Sequence, residues 1–227
     1  MRIECLPCGE SALTVQLGST ITESVADAVR AFASGLEAAG LPGIRELVPT
    51  YCTVMVHYDP AVWSFGALSQ RLTALADGLA VAGAGESDLV EIPVLYGGEA
   101  GPDLEFVAGH NGLTPEEVIR RHAEPAYLVY MLGFTPGFPY LGGMDESIAA
   151  PRLKTPRVRI PAGSVGIAGS QTGVYPIDSP GGWQLIGRTP LRLFEMDGEN
   201  KFLLKAGQRV RFVPIDEAEY RRLGGVL

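Results

Sequence analysis

Two stretches in the first third of the chain carry apolar residues three and four positions apart. They are Ile21, Val25, Val29, Phe32 and Leu36, and then Val62, Phe65, Leu68, Leu72, Leu75 and Leu79. A 3.6-residue period places each set on one helix face, so helices are expected from near Ile21 and over residues 61–79. The run "TITE" at 20–23 matches a capping box and sets the expected start of the first helix, and "GLPG" at 40–43 ends it. Elsewhere in this region the period is two, as in Leu13, Val15 and Leu17, and strands are expected at 2–6, 12–17, 44–48 and 51–57, the last two separated by Pro49. Strand pair, helix, strand pair, helix describes a two-layer α+β sandwich, and a ferredoxin-like domain is expected over residues 1–84.

"AVAGAGES" at 80–87 holds only small or polar residues and is the expected linker. Beyond it, "DLVEIPVLYGG" reads as a strand, followed by short helices near 103–110 and 115–123. Thr114, Pro115 and Glu117 supply the second of these with an N-cap, a first-turn proline and a capping-box acid. The pattern changes after Ala126. Residues 130–190 hold 11 of the 29 glycines and 8 of the 17 prolines. Short β-prone pieces lie between these breakers, among them "VRIPAGSVGIAG", "TGVYPI", "WQLIG", "LRLFEM" and "KFLLKAGQRVRFVPI". Many short strands punctuated in this way indicate a closed barrel or a sandwich. Residues 85–227 therefore form a second, β-rich domain, with a short helix expected at 216–223.

Charge narrows the classes of partner. A formal net charge of −8 argues against nucleic-acid or anionic-membrane binding, both of which need basic surface. No apolar run reaches the roughly 18 residues of a membrane span. The opening "MRIECLPCGE" lacks the basic-then-apolar layout of a signal peptide, so a cytoplasmic protein is expected. Cys5 and Cys8 make a C-x-x-C. Only Cys52 and three scattered histidines could complete a metal site, and the pair falls at a strand rather than a helix start. Two small residues in or after a strand is the better reading, and no metal is expected.

The standard catalytic signatures fail. The chain has no G-x-x-x-x-G-K-[ST], no helix-opening G-x-G-x-x-G and no H-E-x-x-H, and "AGSVG" at 162–166 places glycine directly before Ser164, unlike a nucleophile elbow. What remains is "YMLGFTPGFPYLGGM" at 130–144 and the segment that follows. Glycine and proline at this density suit neither a helix nor a central strand. Across 130–190, Arg152, Lys154, Arg157, Arg159 and Arg188 stand against Asp145, Glu146 and Asp178, a local excess of positive charge. A guanidinium among freed backbone amides suits a carboxylate, carbamate or phosphate. Phe134, Phe138, Tyr140 and Trp183 are candidate walls of a small-molecule pocket. The same composition also fits aromatics that fill a barrel, with solvated arginines outside. His122, at the end of an expected helix, is either a dipole-stabilised cap or a proton shuttle.

Three blocks are more specific than composition: "PCGESALTVQLG" (7–18), "HAEPAYLVYMLGFTPGFPYLGG" (122–143) and "PRLKTPRVRIPAGSVGIAGSQTGVYPIDSPGGWQLIGRTPLRLF" (151–194). In these the chain resembles the 5-oxoprolinase B-subunit family, also labelled allophanate hydrolase subunit 1, which includes the KipI-type kinase inhibitor. The resemblance implies a ferredoxin-like N-terminal domain and a cyclophilin-like β barrel. It implies partners, the A and C subunits of the same system, with which 5-oxoproline is hydrolysed to glutamate at the expense of ATP. ATP is then used by the complex, and no cofactor is expected on this chain itself. On the resemblance, the aromatic loop becomes the rim of a substrate cleft that includes Phe134, Gly137 and Phe138. Arg157 is the candidate partner of the substrate carboxylate, Gln171 and Thr172 of its amide edge, Trp183 the closing wall and His122 the group that moves a proton. The alternatives are a KipI-type regulator of a histidine kinase, a member of a urea or allophanate amide-hydrolysing or carboxyltransferase system, and, on barrel analogy alone, a prolyl isomerase.

Overall fold

The computed structural model describes residues 2–79, 88–198 and 201–227. Its first helix, α1 (Glu23–Ala39), buries Val29, Phe32 and Leu36 of the expected stripe but starts two residues late. Thr22, not Thr20, is the cap, and its hydroxyl accepts from the Val25 amide at 3.2 Å. Both threonines satisfy the capping chemistry. Choosing Thr22 puts Glu23 in the first turn, where the helix dipole favours an acid, and leaves Ile21 outside at 55% exposure.

The chain divides into two compact units, Met1–Ser87 and Asp88–Leu227. The linker expected at 80–87 lies outside the described residues. Unit one runs β1 (Glu4–Pro7), β2 (Ala12–Gln16), α1, β3 (Ile44–Pro49), β4 (Thr53–Tyr58) and α2 (Phe65–Gly78). Its sheet is antiparallel throughout, in the order β1-β2-β4-β3. Leu13, Val15, Val54 and Val56 point into one core with Phe32 of α1 and Leu68 and Leu72 of α2.

This is an α+β sandwich, but its chain order differs from the ferredoxin-like β-α-β-β-α-β. The turn after β1, with Gly9 at φ +71°, folds β2 straight back so that Cys5 pairs with Val15. The hairpin precedes the helical crossover, in which α1 carries the chain from β2 to β3 on the far side of β4. The three cysteines are free thiols. Cys5 sits within β1, where burial pushes its thiol up, and nothing links it to the exposed Cys8.

Unit two begins with β5 (Leu89–Tyr96), α3 (Leu104–Asn111) and α4 (Pro115–Ala123), followed by β6 (Tyr127–Leu132) and β7 (Pro139–Gly142). Next come β8 (Arg157–Ile160), β9 (Ser164–Ala168), β10 (Gln171–Val174), β11 (Ser179–Gly181), β12 (Gln184–Arg188), β13 (Arg209–Ile215) and α5 (Glu217–Arg222). Seven strands join in the order β10-β9-β12-β5-β13-β6-β7. The edge strands β7 and β10 lie side by side, so the sheet curls into a nearly closed barrel. It is mixed, because β13 runs parallel to β5, with Arg209 opposite Leu89 and Ile215 opposite Leu95, while the remaining pairs are antiparallel. Ile92, Val94, Val129, Val165, Ile186 and Phe212 are among the side chains that fill it.

The caps at Thr114 and Pro115 form as expected. "LRLFEM" does not become a strand. It runs as a loop that turns Leu193 inward, and among the described residues its one ladder contact is a bridge from Phe194 to Phe202. Among the described residues no helix is long and apolar enough to cross a membrane.

Candidate active site

The short β8–β11 ribbon, the loop before β7 and the start of β12 surround a cleft of about 450 Å³. Its lining includes Phe134, Phe138, Tyr140, Tyr175 and Trp183, with Arg152 and Gln171 as the polar groups. Phe138 is the hub, only 2% exposed, and four rings meet it edge to face. Centroid separations are 5.6 Å to Phe134, 5.3 Å to Tyr140, 5.6 Å to Tyr175 and 5.6 Å to Trp183. Such pairs favour a fixed geometry beyond simple area burial, so the wall is rigid.

Two backbone features shape the mouth. Phe134 has φ +61° and is the one non-glycine residue in the left-handed region among the described residues; its ring is 65% exposed at the rim. A bulky side chain there carries strain of about 1–2 kcal/mol, a feature that recurs at ligand-binding sites. At Gly181 a Cβ would fall 2.4 Å from the Tyr175 hydroxyl and 2.8 Å from Ile160 Cδ1, so only glycine leaves both groups where they are. Burial pushes the Tyr175 hydroxyl up to about 12, and the nearby Arg152 and Arg157 charges oppose that rise.

The structure brings together Phe134, Phe138, Gln171 and Trp183 of the expected set and moves the other four elsewhere. Gly137, at φ +83°, turns the loop back onto Leu193 and Phe194 and does not line the cleft. Arg157 is occupied. Its Nη2 donates to Asp103 Oδ1 at 2.7 Å and its Nη1 to the Trp183 carbonyl at 3.3 Å. Asp103 also accepts from the Leu185 amide at 2.6 Å, so the pair clamps the start of β12 and with it the Trp183 wall. Asp103 stands before α3, where an aspartate reads as an N-cap, and it makes no side-chain cap bond there.

His122 and Thr172 lie behind the cleft, inside the barrel, at 0% and 1% exposure. Thr172 donates its single proton to the Gly166 carbonyl, so it accepts from His122 Nε2, 2.8 Å away. Nδ1 is then the acceptor for the Tyr96 hydroxyl at 2.8 Å, and the ring stacks on Phe212 at 4.5 Å. Desolvation lowers the His122 pKa to about 3. The neutral ring ties α4 to β5 and β10. Its proton is committed to Thr172, and neither ring nitrogen faces the cleft.

Arg152, Tyr140 and Tyr175 complete the cleft. Tyr140 was legible as an aromatic of the loop. Arg152 was legible only as one of five cations, because which guanidinium finds an acid depends on Asp103, distant in sequence. A second hollow of about 690 Å³ lies around Pro190–Arg192, Phe202 and the end of α5. Its Arg192 is already paired with Glu195 at 3.5 Å and it lacks a ring cluster, so the smaller aromatic cleft is the better candidate.

The architecture agrees with that of known proteins. The carboxyltransferase domain family, subdomains C and D, matches residues 3–204. The 5-oxoprolinase B subunit of Bacillus subtilis (strain 168) is 47% identical over 97% of this chain and 96% of its own length. That of Escherichia coli O157:H7 is 41% identical over 95% of this chain and 98% of its own. The crystal structure of TTHA0988 superposes with a TM-score of 0.81 at 39% identity over 90% of this chain, which spans 40% of that longer chain. The chain belongs to the carboxyltransferase-domain family and, within it, to the 5-oxoprolinase B-subunit proteins.

Proposed function

We propose that this chain is the B subunit of an ATP-dependent 5-oxoprolinase, working in a complex with the A and C subunits, and that its barrel is of the cyclophilin-like kind. The observation that carries the reading is full-length similarity to proteins of that name, at 41% and 47% identity. The aromatic cleft supports it. A five-membered lactam is small and flat, with an apolar ring and one amide edge. Phe138 and Trp183 supply faces for such a ring, and Gln171 can both donate to and accept from the amide. ATP is handled by the assembled complex rather than by this chain. His122 and Thr172 serve the site by holding β10, whose first residue is Gln171, and not by moving a proton to substrate.

The test is glutamate release from 5-oxo-L-proline and ATP by the chain co-expressed with its genomic neighbours. Release should disappear when this chain alone is omitted. An unchanged rate without it would overturn the proposal.

A further inference from the structure

Arginines in this acidic chain are mostly paired. Arg157 holds Asp103, and Arg159 holds Asp178 at 2.6 Å. Arg152 differs: it lines the aromatic cleft, and among the described residues no carboxylate lies within ion-pair distance and no hydrogen-bond acceptor engages it. Its charge is felt at the Tyr175 hydroxyl, which lines the same cleft, so the guanidinium and the rings address the same space. A guanidinium is a planar fork of donors that fits the two oxygens of a carboxylate. Beside low-dielectric walls that attraction is stronger than at an open surface.

From this we infer that the cleft is selective for small monocarboxylates carrying a flat amide-bearing ring, and that Arg152 is the residue that binds the carboxylate. Arg157 is a positioning residue that acts through Asp103 and the Trp183 carbonyl. The ligand lies with its ring against Phe138 and Trp183, its amide edge toward Gln171 and its acid group on Arg152. The choice of 5-oxoproline within this class rests on the function proposed above; the acid selectivity of the cleft does not.

The full chain is titrated with 5-oxo-L-proline and with 2-pyrrolidinone, the same ring without the carboxylate, by ligand-observed NMR at low salt. Wild type should prefer the acid by roughly tenfold or more, the scale of one charge-assisted bidentate pair. Arg152→Gln should abolish that preference and leave 2-pyrrolidinone binding unchanged. Because Arg152 is exposed, the variant should melt with the wild type. Arg157→Gln should weaken both ligands by a similar factor, since it loosens a wall rather than removing the counter-charge. Acid preference that survives Arg152→Gln, or a wild type that shows none, whether or not it binds either ligand, overturns the inference. In the assembled complex, glutamate formation with an unaltered KM in Arg152→Gln would also overturn it while leaving the 5-oxoprolinase reading intact. A wild-type complex that makes no glutamate would instead sink that reading and leave the acid preference of the cleft standing.

Discussion

Replacing His122 by glutamine tests whether this histidine is a buried neutral brace. In the folded chain desolvation holds its pKa near about 3, against an ordinary value of 6.5. Between those values the unfolded chain binds a proton that the native chain refuses, so stability rises with pH through the window. The contribution is complete above pH 6.5 and is lost progressively as the pH falls toward 3. Each pH unit below 6.5 costs about 1.4 kcal/mol, hence roughly 2 kcal/mol by about pH 5. Urea unfolding of the wild type and of His122→Gln across this range measures it. The variant should be less stable near neutral pH by about 1–3 kcal/mol, because the Tyr96 hydroxyl loses its acceptor. Its stability should then fall less steeply below pH 6.5, by about 1.4 kcal/mol per unit. His57, His110 and the carboxylates are common to both proteins and cancel in the difference. Equal slopes would show that His122 takes up its proton in the folded chain as readily as in the unfolded one, and the buried neutral brace would be wrong.

Asp103→Ala should cost about 2 kcal/mol in urea unfolding, since it frees both Arg157 and the Leu185 amide, and should change Trp183 fluorescence; an unaltered emission spectrum would argue against the clamp. Gly181→Ala should lower stability by about 1–3 kcal/mol through overlap with the Tyr175 hydroxyl and should weaken acid and neutral ring ligands alike; unimpaired binding would place the ligand elsewhere. Phe134→Gly should stay within ~1 kcal/mol of wild type in thermal unfolding, because relief of left-handed strain offsets the added freedom of the unfolded chain, yet should bind ring ligands less well. A large loss of stability there would mean that the Phe134 ring supports the fold rather than the rim.

Most elements were legible because they rest on local chemistry. The stripe Val29, Phe32, Leu36 and the Thr114–Pro115 cap need only their neighbours in sequence to specify a helix. The strand pairing in unit one was less legible than its element order, since a period of two says that strands exist and not which of them pair. The short turn between β1 and β2 makes them neighbours, while α1 carries the chain across β4 from β2 to β3. In the barrel, Gly–Pro punctuation announced short strands, while closure depends on β7 meeting β10 across a long intervening stretch of chain.

The candidate site divides along the same line. By itself the sequence determined that aromatic residues, glycines and arginines concentrate between 130 and 190, and that the two longest blocks of the family resemblance, 122–143 and 151–194, overlap that stretch. Only the tertiary structure decided the roles of individual side chains. Arg152 and Arg157 are near neighbours in sequence and chemically identical, yet one reaches Asp103 and the other faces the cleft: Arg157 takes the acid and Arg152 the open space. His122 has the chemistry of a proton shuttle, but the barrel removes it from water and commits its proton to Thr172. Residue type sets what a group can do, whereas its charge state and its free bonds are set by neighbours brought together through long-range strand pairing, which no local pattern encodes.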